Sequence, residues 1–328
     1  MKTGISRRDL NKCISAALLF GAASARQALA AGAPLTAAQV VDRIKQRMAQ
    51  QGVIWSYPGS DGFKIGNPDT PVTGVATTFQ ATHDVLQRAA AAKLNLIITH
   101  ERMFWDYQDE VTTLQDDAPY LVPGSLAMDP VTIAKRKLCE DNNLVVWRFH
   151  DYHHQTLIPG VRDGKAQPVD PILGSFSEQL NWAKYYTTMP GGFVQRGYQI
   201  PAMKLKDVAR HMREKLGTCD IRVIGDPDLM VQRIGVTAHL LRESLERLQD
   251  ADVVLFSEVQ EIDTFDYVRD AISLGLPSPK GIIAISHEAF EEQASAVLKT
   301  WLKPMASGLP VKHIPSGAPY WTLPPERS

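Results

Sequence analysis

Three apolar runs in this chain end on side chains that bind and activate cations. LIIT (96–99) leads into His100 and Glu101, and LVVWRF (144–149) leads into His150, Asp151, Tyr152, His153 and His154. GIIAIS (281–286) leads into His287, with Glu291 four residues further on. Imidazole and carboxylate form the ligand set of Zn, Fe, Mn, Co or Ni. Positions four apart share one face of a helix, so His287 and Glu291 can grip one ion together. Each feature is weak alone. Strand-end histidines are usually solvated or hydrogen-bonded loop residues, and His83, His211 and His313 are read that way; Glu288 and Glu292 are read as solvated first-turn charges. The three clusters stand apart because each closes a short aliphatic strand, and α/β sheets hold ligands beyond the carboxyl ends of their strands.

The elements that must position these groups occur twice. Residues 65–75 read IGNPDTPVTGV and residues 224–236 read IGDPDLMVQRIGV. Upstream, LTAAQVVDRIKQRM (35–48) parallels MKLKDVARHMREKL (203–216), both with helical apolar spacing. Downstream, THDVLQRAAAAKLNLIITHE (82–101) parallels LRESLERLQDADVVLFSE (241–258), each a helix and then a strand that ends on Glu101 or Glu258. Four matches in one order predict a duplicated lobe. Each lobe reads as helix, Gly-Pro-Asp turn, strand, helix and buried strand, an α/β arrangement. Between the repeats, DPVTIAKRKLCEDNN is expected to form a helix capped by Asp129, and LVVWRF a buried strand. The second lobe is expected to start near Ile200-Pro201, giving lobes over 31–200 and 201–328.

Residues 1–30 have a basic start, an apolar stretch and an Ala28-Leu29-Ala30 site, the anatomy of an export signal. Arg7 and Arg8 ahead of the apolar run read as a twin-arginine address. Ile14 to Ala25 is too short to span a bilayer, so no stable membrane anchor is expected. A periplasmic or extracellular protein, carried by the twin-arginine export machinery, follows as the expectation. Residues 1–30 hold five basic residues and one acidic, which leaves 30 basic against 35 acidic and a net charge of −5. With no Lys/Arg-rich run, nucleic acid and anionic membranes are excluded as expected partners. Beyond residue 30 the cysteines are Cys139 and Cys219, read either as a disulfide or as two buried thiols.

The motifs resemble the Nif3-like family, also described as dinuclear metal centre hexameric proteins. The resemblance rests on DGFKIGNP, LVVWRFHD, PDLMVQRIGV, DADVVLFSE, FDYVRDA and GIIAISHEAFEE, and covers nearly all of the chain beyond the signal. It implies two Nif3-like lobes with the metal site between them. It also implies one or two divalent ions held by His100, Glu101, His154, His287 and Glu291. Two positions depart from the family pattern. Glu101 stands where a second histidine is expected, and His154 stands where an Asp ligand would fall, which brings in the adjacent Asp151. A branch of the family shares the His-Glu and Arg-Phe-His-Asp sequences. In the second lobe Thr237-Ala238-His239 replaces a Gly-rich turn and makes His239 a further pocket candidate. The resemblance also implies a homo-oligomer, a toroidal hexamer with its metal sites facing an internal cavity.

Together these features imply a metal-dependent hydrolase that acts on a small organic substrate through a metal-bound water, with Glu101 as either ligand or catalytic base. Some relatives carry a GTP cyclohydrolase label, but the chain has no GxxxxGK[ST] phosphate loop and an exported protein would meet little nucleotide. Phe104, Trp105, Tyr107, Trp182, Tyr185 and Tyr186 are the aromatic residues read as pocket lining or as core. The alternative is a non-enzymatic metal-binding or scaffold protein.

Overall fold

The computed structural model describes residues 34–56, 59–104, 129–189, 196–218, 220–237, 250–258, 261–278 and 280–322. The export signal, the helix expected over 241–249, and Trp105, Tyr107, Cys219 and His239 lie outside the described residues.

The first repeat begins with helix α1 (Ala37–Gln50). Val40, Val41, Ile44 and Met48 form its buried stripe, and Thr36 and Gln39 close its start as a capping box. Strands β1 (Gly62–Ile65) and β2 (Val75–Gln80), helix α2 (His83–Ala91) and strand β3 (Leu96–Glu101) follow. Helix α3 (Pro130–Asp141) starts as its sequence predicts: Asp129 accepts from the Val131 and Thr132 N–H groups, and Pro130 occupies the first turn. Strand β4 (Val145–Arg148) precedes the hairpin of β5 (Ile158–Arg162) and β6 (Lys165–Val169), then helix α4 (Pro171–Gln179) and strand β7 (Tyr186–Thr187). The second repeat comprises β8 (Gly197–Lys204), α5 (Leu205–Leu216), β9 (Ile221–Gly225), β10 (Met230–Thr237) and β11 (Val253–Ser257). Helix α6 (Asp266–Ser273), β12 (Gly281–Ile285), α7 (His287–Leu302) and β13 (Val311–His313) complete it.

The duplication is visible in the topology. One sheet has the order β1-β4-β3-β2-β13, and the other contains β9-β12-β11-β10 followed by β8 and β7. In each, an antiparallel edge strand (β1 or β9) flanks three parallel strands in the same reversed order. The parallel strands are buried on both faces, which is why they read as unbroken aliphatic runs. The fold is α/β with two duplicated lobes.

Two details differ from the sequence reading. The division expected at 200/201 falls inside β8, which pairs with β10 without a break in the strand. Pro201 sits where the register shifts opposite Val231 and Arg233, a bulge that needs no donated N–H. The chain also returns to the first sheet at its end, where β13 pairs in parallel with β2.

Helix α7 joins the lobes. Its Phe290 and Ala294 pack in the core of the second sheet with Leu205, Ile283 and Ile285. Its Leu298 and Leu302 pack in the core of the first sheet with Val41, Ile44 and Trp147. His287 and Glu291 therefore leave the helix at the seam, on the first turn and a half, whose start Ser286 caps by accepting from the Ala289 N–H. Among the described residues, no helix is long and apolar enough to cross a membrane.

Candidate metal centre

His100 is the penultimate residue of β3 and is fully enclosed, its side chain 1% exposed. Its Nδ1 lies 3.3 Å from the Phe149 carbonyl oxygen, which can only accept, so a proton on Nδ1 would leave the Nε2 lone pair facing the lobe junction. There Nε2 meets Glu291 Oε2 of α7 at 2.9 Å. The same carboxylate oxygen lies 3.0 Å from His287 Nε2. Glu101 Oε1 approaches His150 Nε2 at 3.3 Å and His287 Nε2 at 3.7 Å, while its Oε2 is held by the buried Arg148 guanidinium at 3.3 Å and the Arg102 N–H at 3.2 Å. Strand ends of the first lobe and the helix start of the second thus converge on one point.

The turn after β4 is shaped from a distance. Asp61, buried beside β1, accepts backbone N–H groups from His150, Asp151 at 3.2 Å and Tyr152 at 2.9 Å. Gly59 lets that loop approach: a Cβ there would lie 2.1 Å from Asp151 Oδ2, and its φ is +55°. Asp151 consequently points away from the other donors. Its Oδ2 accepts from the Ser60 N–H at 3.0 Å and its Oδ1 from His150 Nδ1 at 2.8 Å. The imidazole of His150 takes the inward place, stacked 4.5 Å from the His100 ring. His154 lies 5.3 Å from both rings, and its Nδ1 faces Asp170 Oδ2 at 3.2 Å, with Arg196 on the same oxygen at 2.7 Å. His153 is buried beneath, with Nδ1 3.1 Å from His100 Nδ1.

These residues fit a cation. His100, His150 and His154, and separately His100, Glu101 and Glu291, each offer ligand atoms lying within 4.8 Å of one another. Ligands about 2.1 Å from one ion lie at most about 4.2 Å apart, so small side-chain shifts close either set. Buried His100 Nε2 and Glu291 Oε2 also have no hydrogen-bond partner of acceptable geometry despite their 2.9 Å separation. Imidazole nitrogens of His100 and His287 that converge on one carboxylate oxygen, at 2.9 and 3.0 Å, suit a common positive ion.

Without an ion, protons on two of the imidazoles balance the buried carboxylates. Burial pushes His100 and His153 below the usual imidazole range. Burial opposes ionisation of Glu101 and Glu291, but the surrounding imidazoles outweigh it and hold both carboxyls well below their usual range. Burial also disfavours the charged form of His150, yet hydrogen bonds to Asp151 and Glu101 push it up to about 9. His287 is driven upward in the same way by Glu291 and Glu258. Its bond to His150 holds Asp151 down at about 2.

His100, Glu101, His154, His287 and Glu291 come together as the sequence proposed. Asp151 supports rather than joins the cluster, and His150 occupies the inward place. The clue to His150 was the repeat itself, since His150 and His287 each stand two residues beyond the strands β4 and β12 that occupy the same place in the two sheets. Phe104, Trp182 and Tyr186 are buried in cores rather than lining a pocket. His83 is exposed; His211 bonds the Leu180 carbonyl at 2.8 Å and stacks on Trp182. His313 lies in β13 and pairs with Glu292 at 3.0 Å, so Glu292 is not a free first-turn charge, and burial and Glu292 together raise Glu288. Cys139 is a buried thiol pushed up to about 12 by desolvation. A cavity of about 340 Å³ lies against another face of α7, lined by Asp220, Glu288, Glu292 and Trp321 and by none of the clustered donors.

Comparison with known proteins agrees with this architecture. A family model described as Duf34/NIF3 (NGG1p interacting factor 3) matches residues 35–119, a stretch that includes His100 and Glu101. The "GTP cyclohydrolase 1 type 2 homolog" of Clostridium acetobutylicum is 23% identical over 214 residues, covering 64% of this chain and 70% of that protein. In fold the chain is similar to the Staphylococcus aureus protein SA1388, with a TM-score of 0.55 and 17% identity over 88% of this chain and 100% of that one. It is also similar to the Bacillus cereus protein related to NIF3, with a TM-score of 0.56 and 14% identity over 89% and 100% of the two chains. The family model and the relative make part of the chain similar to Nif3/DUF34 proteins, and the structural neighbours share its fold.

The His150 assignment has a pH consequence. Its folded pKa of about 9 lies above the ordinary 6.5, so in metal-free protein its pairing contributes stability that is complete below about pH 6.5 and lost as pH rises through about 9. The thermal midpoint of metal-free protein is expected to fall between about pH 8 and pH 10, and His150→Gln to flatten that fall. Identical pH profiles for the two proteins contradict the assignment.

Proposed function

We propose that this chain is a Nif3-like protein that binds one or two divalent metal ions between its lobes and works as a metal-dependent hydrolase on a small organic substrate. The observation that carries the reading is the meeting of His100 Nε2 and Glu291 Oε2, from different lobes, at 2.9 Å, with His287 Nε2 3.0 Å from the same oxygen. His100, Glu101, His150, His154, His287 and Glu291 would hold the ions. Bound there, a divalent ion supplies Lewis acidity, polarising a carbonyl or phosphoryl oxygen and acidifying water.

The residues of the chain divide the remaining work. Outer acceptors hold the Nδ1 positions of His100, His150 and His154, so each presents Nε2 in one tautomer. Glu101 suits an anionic ligand better than a base: Arg148 fixes one oxygen, and a carboxyl held that far below neutrality takes protons poorly. Among the described residues, substrate would approach from the more exposed side of the cluster. His150 and His154 are 20% and 29% exposed, against 1% for His100 and 8% for Glu291, so the His150–His154 side faces outward.

A second reading has its own support. Donors drawn from both lobes mean that an ion here would also clamp them together, as in a metal-stabilised scaffold without turnover. Chelation separates the two: a catalyst loses turnover reversibly and keeps its assembly, whereas a scaffold comes apart. The hexamer is proposed from family resemblance alone.

His287→Ala is expected to lose bound metal, measured by elemental analysis, while its far-ultraviolet circular dichroism stays that of the folded chain. Wild-type metal content in that variant contradicts the ligand set. Elemental analysis with an activity screen on protein purified from its own compartment tests the hydrolase reading.

Export by the twin-arginine route to the periplasm or beyond is proposed from Arg7, Arg8 and the Ala28-Leu29-Ala30 site. Replacing Arg7 and Arg8 together by lysine is expected to leave precursor in the cytoplasm. Undiminished export of that variant points to the general secretory route instead.

A further inference from the structure

The first residue after β11 has a backbone conformation that its side chain does not favour. Glu258 has a φ of +87°, in the left-handed region that glycine adopts freely and a long side chain avoids. Other non-glycine residues with positive φ have local reasons. Asn143, Asp163 and Asn181 are types that tolerate it, and Lys93 and Ser307 lie in the turns that come after α2 and α7, with φ of 59° and 46°. Glu258 is not such a type and, among the described residues, does not stand at a helix end.

The ion pair that Glu258 makes with His287 does not account for that strain by its contribution to fold stability. The Glu258 side chain is 59% exposed, and ion pairs at such exposure contribute little. What the conformation achieves is an aim. The Glu258 N–H still reaches the carbonyl of Ile285, at 3.4 Å, continuing the pairing of β11 with β12 and keeping the residue close to the start of α7. From there its Oε1 lies 3.3 Å from His287 Nδ1, while His287 Nε2 faces Glu291 at 3.0 Å.

We propose that Glu258 is a positioning residue for His287: its carboxylate accepts the Nδ1 hydrogen and so turns the Nε2 lone pair into the cluster. This rests on the metal-binding reading above and adds a residue to it. A carboxylate can only accept, so with a cation on the Nε2 side the contact keeps the remaining proton on Nδ1 and Nε2 turned to the ion. The other imidazoles of the cluster have the same arrangement. Asp151 serves His150 at 2.8 Å, Asp170 serves His154 at 3.2 Å, and the Phe149 carbonyl serves His100 at 3.3 Å. Glu258 is the second lobe's counterpart of Glu101, each closing the middle strand of a parallel trio, but it acts one shell further out. Backbone strain retained at a functional point and directed at a ligand is a recognised pattern.

The strain makes the test specific. Glu258→Gly removes the carboxylate and relaxes the backbone at once, and Glu258→Gln keeps the shape while removing the charge. Metal-free thermal midpoints and Zn²⁺ dissociation constants, the latter by competition with a coloured chelator, are measured for wild type and both variants. Glu258→Gly is expected to melt at the wild-type temperature or above, yet to bind Zn²⁺ about tenfold or more weakly. Glu258→Gln is expected to fall between, because its amide oxygen can still accept. With Co²⁺ in place of Zn²⁺, the visible spectrum of Glu258→Gly is expected to differ from wild type. Zn²⁺ affinity unchanged in Glu258→Gly overturns the proposal, and so does a lowered metal-free midpoint that accompanies the loss, which marks a structural role. Wild-type protein that binds no Zn²⁺ overturns the metal reading and this proposal with it. Wild-type binding matched by Glu258→Gly overturns this proposal alone.

Discussion

Two carboxylates buried between the lobes must find positive charge, and the rest of the structure is arranged around that need. Glu291 and Glu101 are 8% and 12% exposed at the side chain, and an uncompensated carboxylate at such depth costs several kcal/mol. Arg148 compensates part of Glu101 from beneath. The remaining compensation comes from imidazoles, with His150 and His287 both held toward their protonated forms by these acids and their neighbours. A divalent ion would occupy the same place with more charge and fixed directionality, releasing those protons as it enters. Proton and metal are alternative answers to one electrostatic demand.

The duplicated fold explains how that demand is met from six side chains on distant segments. Parallel strands deliver their carboxyl ends to the same edge of each sheet, so both lobes present polar residues on one side. Helix α7 then fixes the lobes to each other, because its two halves are buried in different cores. A site built on one lobe alone would have His100, Glu101, His150 and His154 but no Glu291. The seam between the lobes is therefore the place where the donor set is complete.

Much of this was legible in the chain. Unbroken aliphatic runs gave the buried strands, the repeated Ile-Gly-Asn/Asp-Pro-Asp turns gave the duplication, and helical spacing put His287 and Glu291 on one face. What was not legible depends on long-range contacts. Asp151 and His150 are adjacent and both chemically suitable; Asp61 and Gly59, some ninety residues earlier, decide which one turns inward. The return of β13 to the first sheet has no local signature in three residues. Ile200-Pro201 looked like a boundary because Pro usually ends a strand, and the bulge that admits it exists only in the paired sheet. The aromatic residues were ambiguous because ring size and hydrophobicity suit a core and a pocket equally.

The central claim is that these side chains share a cation, and anomalous X-ray diffraction from crystals of the protein equilibrated with Zn²⁺ tests it most directly. The account predicts a peak at the lobe junction, within coordinating distance of His100 Nε2 and Glu291 Oε2. Crystals that show those two atoms well ordered, with no anomalous peak between the lobes, contradict it.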